Sequence, residues 1–173
     1  MTPSLTYIRL IDVKQRCIRK FSNVNSTNIK YAALSYVWGS AKDITPVTLL
    51  TANVVELQQP GSLATKSQPL PQTIEDALEL ASMLDLEYVW VDALCIIQDD
   101  PEDQGYQIGK MATIYSSAFL TIIAASGSHS DAGLPGLRPH TRFYTQKEVI
   151  VIPPSEHDRG LSMMTTVRAQ PRH

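Results

Sequence analysis

Along the 173-residue chain, short apolar runs alternate with segments of helical period. Tyr7–Val13 (YIRLIDV) reads as a strand, and the polar stretch Ser22–Asn28 reads as a turn or loop. Tyr31–Trp38 (YAALSYVW) is a nearly continuous apolar run closed by Gly39-Ser40, the pattern of a strand buried on both faces of a parallel sheet. The connection from Ala41 to Pro71 is too long for a structureless loop, so it is expected to carry a small strand or helix. Leu70-Pro71-Gln72-Thr73 then opens the clearest helix. Thr73 and Asp76 stand at capping-box spacing, and Ile74, Ala77, Leu78, Ala81 and Leu84 fall on one face. Tyr88–Ile97 (YVWVDALCII) reads as a second buried strand with one carboxylate, Asp92. Asp100 followed by Pro101 and Asp103 is a helix start, with Ile108, Met111, Ala112 and Tyr115 as its apolar face. Phe119–Ala125 (FLTIIAA) is a third buried strand ending at Ser126-Gly127. Ser128–Pro139 is a Gly/Pro-rich loop, Glu148–Ile152 is a short strand, and Ser155–His173 has no period.

The rhythm strand, helix, strand, helix, strand predicts an α/β protein with a parallel sheet and helices on its faces. Leu34–Val37, Val89–Leu94 and Leu120–Ile123 are expected side by side and parallel. Composition narrows the classes further. Hydrophobic residues make up 43% of the chain, enough for one core, and 15 Lys+Arg against 17 Asp+Glu leave a net charge of −2. That balance argues against an electrostatic grip on nucleic acid. No apolar run approaches the roughly 18 residues of a membrane helix, and charges interrupt any signal-peptide core near the N-terminus. Cys17 and Cys95 read as reduced thiols of a cytoplasmic chain.

Candidate chemistry gathers where ligands settle in open parallel sheets, beyond the carboxyl ends of the strands. Ser35, Trp38 and Gly39, then Asp92, Gln98 and Asp99, then Ser126-Gly127 lie at three such ends. Trp38 offers a stacking face, Gly39 and Gly127 allow close backbone approach, and Asp92, Gln98 and Asp99 can orient a ligand. A carboxylate such as Asp92 inside an apolar run costs several kcal/mol unless it is hydrogen-bonded. Asp92 is therefore expected to accept hydrogen bonds from donors near Ser35–Ser40 or at the start of the Asp100 helix. Cys95 reads as a buried structural thiol, because His129, His140, His157 and His173 all lie in the loop-rich C-terminal part. The cysteines and histidines show no metal-ligand spacing, and neither a phosphate loop nor a GxSxG elbow occurs.

Four segments in order resemble the fungal heterokaryon-incompatibility (HET) domain. They are Tyr31–Gly39, Leu70–Ala77, Tyr88–Asp100, and Met111–Ala118 running into Leu120-Thr121-Ile122 and then Gly133-Leu134-Pro135-Gly136. The resemblance divides the chain into an N-terminal strand and lead-in (1–30), a HET core (31–142) and a poorly patterned tail (143–173). It implies a three-layer, flavodoxin-like or Toll/interleukin-receptor (TIR)-like fold with a central parallel sheet, incomplete at the C-terminus. It also implies a cytoplasmic protein of fungal self/non-self recognition that triggers programmed cell death through protein partners or self-association, a form of innate immunity. The family continues to an Arg-Gly-Trp segment followed by Gln-Glu. Here Arg159-Gly160 precedes Leu161-Ser162-Met163, so a truncated or degenerate copy is one expectation. The other is an enzyme, since some TIR domains cleave NAD with a glutamate on a helix after the third strand. After Phe119–Ala125 this chain offers only Asp131, Glu148, Glu156 and Asp158, none on a periodic helix. No cofactor is expected under the first reading, and NAD or a nucleotide under the enzyme reading.

Overall fold

The computed structural model describes residues 5–22, 29–39, 47–65, 69–139, 141, 144–145 and 170–171. Contacts divide the chain into two units, 1–134 and 135–173. In the first, β1 (Tyr7–Asp12) and β2 (Cys17–Ser22) form an antiparallel hairpin in register from Tyr7↔Ser22 to Asp12↔Cys17. The turn between them is closed by the Arg16 amide on the Asp12 carbonyl (2.8 Å) and the Gln15 amide on Asp12 Oδ1 (2.7 Å). So short a link can only join antiparallel strands.

β3 (Tyr31–Ser35) is followed by α1 (Val54–Leu57) and a 3-10 turn at Ser62–Ala64, the small helical elements expected in the long connection. Then come α2 (Gln72–Met83), β4 (Tyr88–Trp90), α3 (Asp92–Cys95), α4 (Pro101–Ser117) and β5 (Leu120–Ile123). The five-stranded sheet has the order β2-β1-β4-β3-β5. β3 runs parallel to both β4 and β5, whereas β1 joins β4 antiparallel. The expected parallel core is present, but the sheet is mixed rather than wholly parallel, because the hairpin adds two strands at the β4 edge. All of Tyr31–Leu34 is buried, so both faces of β3 are covered.

Five further expectations are corrected. The apolar run Tyr88–Ile97 is a strand only as far as Trp90; the Cys95 amide then donates to the Val91 carbonyl (2.8 Å), and the Ile96 amide to that of Asp92 (3.1 Å). An unbroken apolar run cannot distinguish a buried strand from a buried helix, and an Asp that bonds the next amide favours the turn. Thr73 does not cap α2. Pro71 is the N-cap, and Gln72 and Thr73 are capped from the 130–131 loop, their amides donating to Asp131 Oδ1 (2.8 Å) and to the Ser130 carbonyl (3.0 Å). On the helix face, Ile74, Ala77, Leu78 and Ala81 are buried as expected, but Leu84 lies past the last turn and is exposed. α4 begins as read, with Asp100 Oδ1 accepting the Glu102 and Asp103 amides (3.0 and 3.3 Å). Met111 and Tyr115 pack half-buried against the core as expected, but the fully buried positions are Asp103, Gln107 and Ile114, with Ile108 and Ala112 outside. β5 is an edge strand, so Phe119 and Ile123 are 62% and 68% exposed rather than buried.

The buried Asp103 explains the rotated face of α4. Its carboxylate takes both terminal nitrogens of Arg9 (2.8 and 2.9 Å), the Tyr7 hydroxyl (2.6 Å) and the Ile97 amide (2.9 Å). Arg9 also donates to the Cys95 carbonyl (3.2 Å). β1, α3 and α4 are thus joined through one ion pair whose side chains are only 4% exposed.

In the second unit, Tyr144–Thr145 and Gln170–Pro171 form a two-stranded antiparallel ladder. The strand expected at Glu148–Ile152 lies outside the described residues. No helix among the described residues is long and apolar enough to cross a membrane.

Candidate functional site

The carboxyl ends of β3, β4 and β5 lie together because those strands are parallel. Trp38, just past β3, donates its indole N–H to Asp92 Oδ2 at 2.9 Å. Asp92 follows β4 and receives the Ala93 amide on Oδ1 (2.7 Å), together with the Tyr36 hydroxyl. The expectation that donors near Ser35–Ser40 meet Asp92 is borne out. Burial raises the Asp92 carboxyl above the ordinary range, against the lowering effect of Ala93, Trp38 and Tyr36. Burial, and then the neighbouring Asp92 charge, push the Tyr36 phenol well upward in turn.

Gln98 belongs to the same knot, its amide nitrogen donating to the Asp92 and Ile96 carbonyls (3.0 and 2.9 Å). Asp99 does not. It accepts the Thr51 amide and hydroxyl, both at 2.7 Å, which hold its carboxyl below the usual value. The Ser35 carbonyl accepts the Ala124 amide (2.9 Å), and its side chain meets Tyr115, whose hydroxyl donates to the Leu34 carbonyl (3.1 Å).

Gly39 has φ +88°, and a Cβ built there would stand 2.6 Å from the Cβ of His129. The Ser130 amide donates to the Trp38 carbonyl (3.2 Å), so the 128–134 loop closes directly over β3's end. At Gly127 a Cβ would lie 2.9 Å from the Cβ of Ala132. The glycines read as points of close approach are so, but what approaches them is this chain's own loop.

That loop is clamped to α2. The Gly133 amide donates to Thr73 Oγ1 (3.0 Å) and the Leu134 amide to Asp76 Oδ2 (2.6 Å), while Gln72 holds Asp76 Oδ1 (2.7 Å). Sequence reading missed Tyr36, Tyr115 and His129 at this end; Tyr36 was visible only as one more apolar member of its run. Asp131, weighed as an acid for NAD cleavage, is an α2 cap, and Glu148, Glu156 and Asp158 lie outside the described residues. Cys95 is fully buried, its thiol pushed up to about 12 by burial, and its sulfur accepts the Val91 amide (3.4 Å). No group of three or more His, Cys, Asp or Glu among the described residues is placed to hold a metal ion.

What the strand end presents outward is Trp38, 36% exposed, beside Val37, 51% exposed. Its carboxylates are taken up by internal donors.

The sequence profile of the family described as "Heterokaryon incompatibility protein (HET)" matches residues 31–170. Heterokaryon incompatibility protein 6, OR allele, of Neurospora crassa is 30% identical over 129 residues, covering 68% of this chain and 18% of that protein. The chain therefore spans under a fifth of that relative's length. No solved structure matches.

Proposed function

The chain belongs to the heterokaryon-incompatibility (HET) family, and on that premise we propose that it is a signalling module of fungal self/non-self recognition. It acts in the cytoplasm by contact with protein partners or with itself, and engagement leads to cell death. The observation that carries this reading is the state of the strand end. Asp92 and Asp99 are engaged by Trp38, Tyr36, Ala93 and Thr51, and the face left outward is the apolar pair Val37 and Trp38. Such a surface suits docking better than proton transfer.

The parallel strands support a flavodoxin-like or TIR-like relationship. Counted by themselves, β3, β4 and β5 stand in the order second-first-third, the start of the flavodoxin-like arrangement, whose ligand crevice lies beside the first strand. The antiparallel hairpin is an addition at one edge of that core.

Inducible expression of the chain in a filamentous fungus, scored with a vital dye, tests the reading. Death is expected with the native chain and is expected to fall when Val37→Asp and Trp38→Ala are combined. Undiminished death with that pair, or none with the native chain, would overturn it.

An NAD glycohydrolase is the second reading, favoured by the raised carboxyl of Asp92 beside Trp38. Cleavage of the nicotinamide bond needs a carboxylate held at the ribose of an oxocarbenium-like state. Asp92 already serves three donors of its own chain, so no nicotinamide release is expected on incubation with NAD. Turnover abolished by Asp92→Asn would move this reading to first place.

A further inference from the structure

At the amino end of β4, away from the site above, lies a groove of about 720 Å³. Its walls are the β1–β2 turn and β2 on one side (Asp12, Lys14, Arg19, Phe21) and the α2–β4 connection on the other (Asp85, Glu87, Tyr88 among them). A neighbouring concavity of about 420 Å³ shares Phe21, Asp85, Glu87 and Tyr88. The two hollows therefore meet over one aromatic wall, in which Phe21 and Tyr88 pack edge to face with centroids 5.1 Å apart. The walls are tied by the Val13 amide on the Glu87 carbonyl (3.0 Å), so the groove is a built feature of the hairpin's docking on β4.

Its charges divide unequally. Three carboxylates of the lining, Asp12, Asp85 and Glu87, outnumber its two cations, Lys14 and Arg19. Arg19 lies 3.6 Å from Asp12 and also donates to the Gln15 side chain, while Lys14 is exposed at the hairpin turn. Lys30 of the second hollow is 5.5 Å from the Phe119 ring and engaged there. Asp85 and Glu87 are exposed, and neither has an ion-pair partner among the described residues. Asp85 sits at φ +55° where α2 ends, its amide on the Ser82 carbonyl (3.1 Å), with the Leu86 amide on that of Ala81 (2.9 Å). The negative end of α2 thus points into this region, and its last turn carries no basic residue to offset it. The Tyr88 phenol registers the surroundings: burial raises it first, then the charges of Glu87 and Asp12.

We propose that this groove is a docking site for an arginine side chain of a partner polypeptide, the guanidinium lying against Phe21 and Tyr88 and paired with Asp85 and Glu87. A planar, weakly hydrated cation is the chemistry that an aromatic face and two uncommitted carboxylates together select. An ammonium gains the charge but less of the stacking. Two hollows sharing one wall also suit an extended chain, whose alternate side chains fall on the same side about 7 Å apart. The site shares no residue with the strand end, so it stands whether or not the reading of that end holds.

The test is an NMR titration of the full ¹⁵N-labelled chain with the peptide acetyl-Thr-Arg-Thr-Arg-amide and its Lys and Glu counterparts. Amide shifts are expected at Phe21 and at 85–88, with the lysine peptide weaker and the glutamate peptide silent. The double variant Asp85→Asn, Glu87→Gln alters exposed side chains only and is expected to keep the native spectrum while weakening arginine-peptide binding about tenfold or more. Absence of shifts at millimolar peptide, shifts confined to other residues, unchanged affinity in the double variant, or equal binding of the lysine peptide would each overturn the assignment.

Discussion

Replacing Asp103 by alanine is the sharpest test of how this fold is held together. The change removes the acceptor of two Arg9 nitrogens, the Tyr7 hydroxyl and the Ile97 amide in one step. Arg9 would be left buried with the Cys95 carbonyl at 3.2 Å and the Tyr7 ring at 5.3 Å but without its carboxylate. Breaking a buried pair from one side costs about 3–5 kcal/mol, chiefly through the uncompensated charge. The stranded hydroxyl and amide add to that, but not independently, because all four bonds share one carboxylate. Against a total stability of about 5–15 kcal/mol for a domain, that is a large fraction.

Urea unfolding followed by the fluorescence of Trp38 and Trp90 reads the loss directly. With a slope of about 2 kcal/mol/M, the midpoint should fall by about 2 M. The double variant Arg9→Met, Asp103→Leu removes both charges and should recover most of the loss. The pH dependence has a definite sign. Burial alone would raise the Asp103 carboxyl, but the bonds from Arg9, Tyr7 and Ile97 outweigh it and hold the group below its ordinary value. Its contribution is therefore complete above the unfolded carboxyl value of about 3.9 and is lost as pH falls through the lower folded value. Asp103→Ala should abolish that acid dependence. A single variant within about 1 kcal/mol of the native chain, or a double variant no better than the single, would refute the reasoning.

Asp92 should show the opposite pH slope: its folded value is raised, so stability falls as pH climbs from about 3.9 through the folded value, and Asp92→Asn should flatten that slope. Asp92→Ala should cost about 1–3 kcal/mol by leaving Trp38, Tyr36 and Ala93 donors unmet, and native stability in urea would count against the knot described above. Gly39→Ala combines a left-handed φ of +88° with a 2.6 Å approach to His129 and should cost about 2–4 kcal/mol, read as a lowered melting temperature; an unchanged melt would mean that the 128–134 loop yields freely. Asp131→Ala removes the cap on the Gln72 amide and should cost about 1 kcal/mol, with faster hydrogen exchange at 72–74 as the local signature.

How much of this was legible in the sequence depended on whether a signal was local. The Asp100-Pro101 helix start was readable because cap, proline and first-turn acids act within a few residues. The parallel core followed from apolar runs separated by helices. β2 was not seen, since Cys17–Ser22 carries two consecutive cations and the turn before it contains no Gly or Asn. The inward face of α4 is legible only at Met111 and Tyr115, and its buried polar positions are not, for a related reason. Burying Asp103 is worthwhile only because Arg9 lies opposite, 94 positions away in the chain, and periodicity treats a lone acid as solvent-facing. Thr73 and Asp76 were singled out correctly as hydrogen-bonding residues, but the backbone amides they accept are those of Gly133 and Leu134, not those of their own helix. Of the strand-end candidates, Trp38, Asp92 and Gln98 do meet, while Asp99 serves Thr51 because the chain turns after Ile96.

The segments that carry the family resemblance are the ones that bind one another at and around the strand end. Tyr31 donates its hydroxyl to the Ile114 carbonyl (2.5 Å), Tyr115 returns one to Leu34, Trp38 reaches Asp92, and Thr73 with Asp76 holds Gly133 and Leu134. Every segment thus contributes at least one side chain whose partner lies in another segment, which is a physical reason for such residue types to recur together. Contacts of this kind are non-additive, so pairing Asp92→Ala with Gly39→Ala should cost measurably more or less than the sum of the two. Phe21, Asp85 and Glu87 lie outside those segments and line the groove at the other end of β4. Combining Glu87→Gln with Asp92→Ala should then give additive stabilities within about 0.5 kcal/mol, as expected for independent sites. A larger coupling would mean that the groove and the strand end communicate through elements they share, such as β4 and α2.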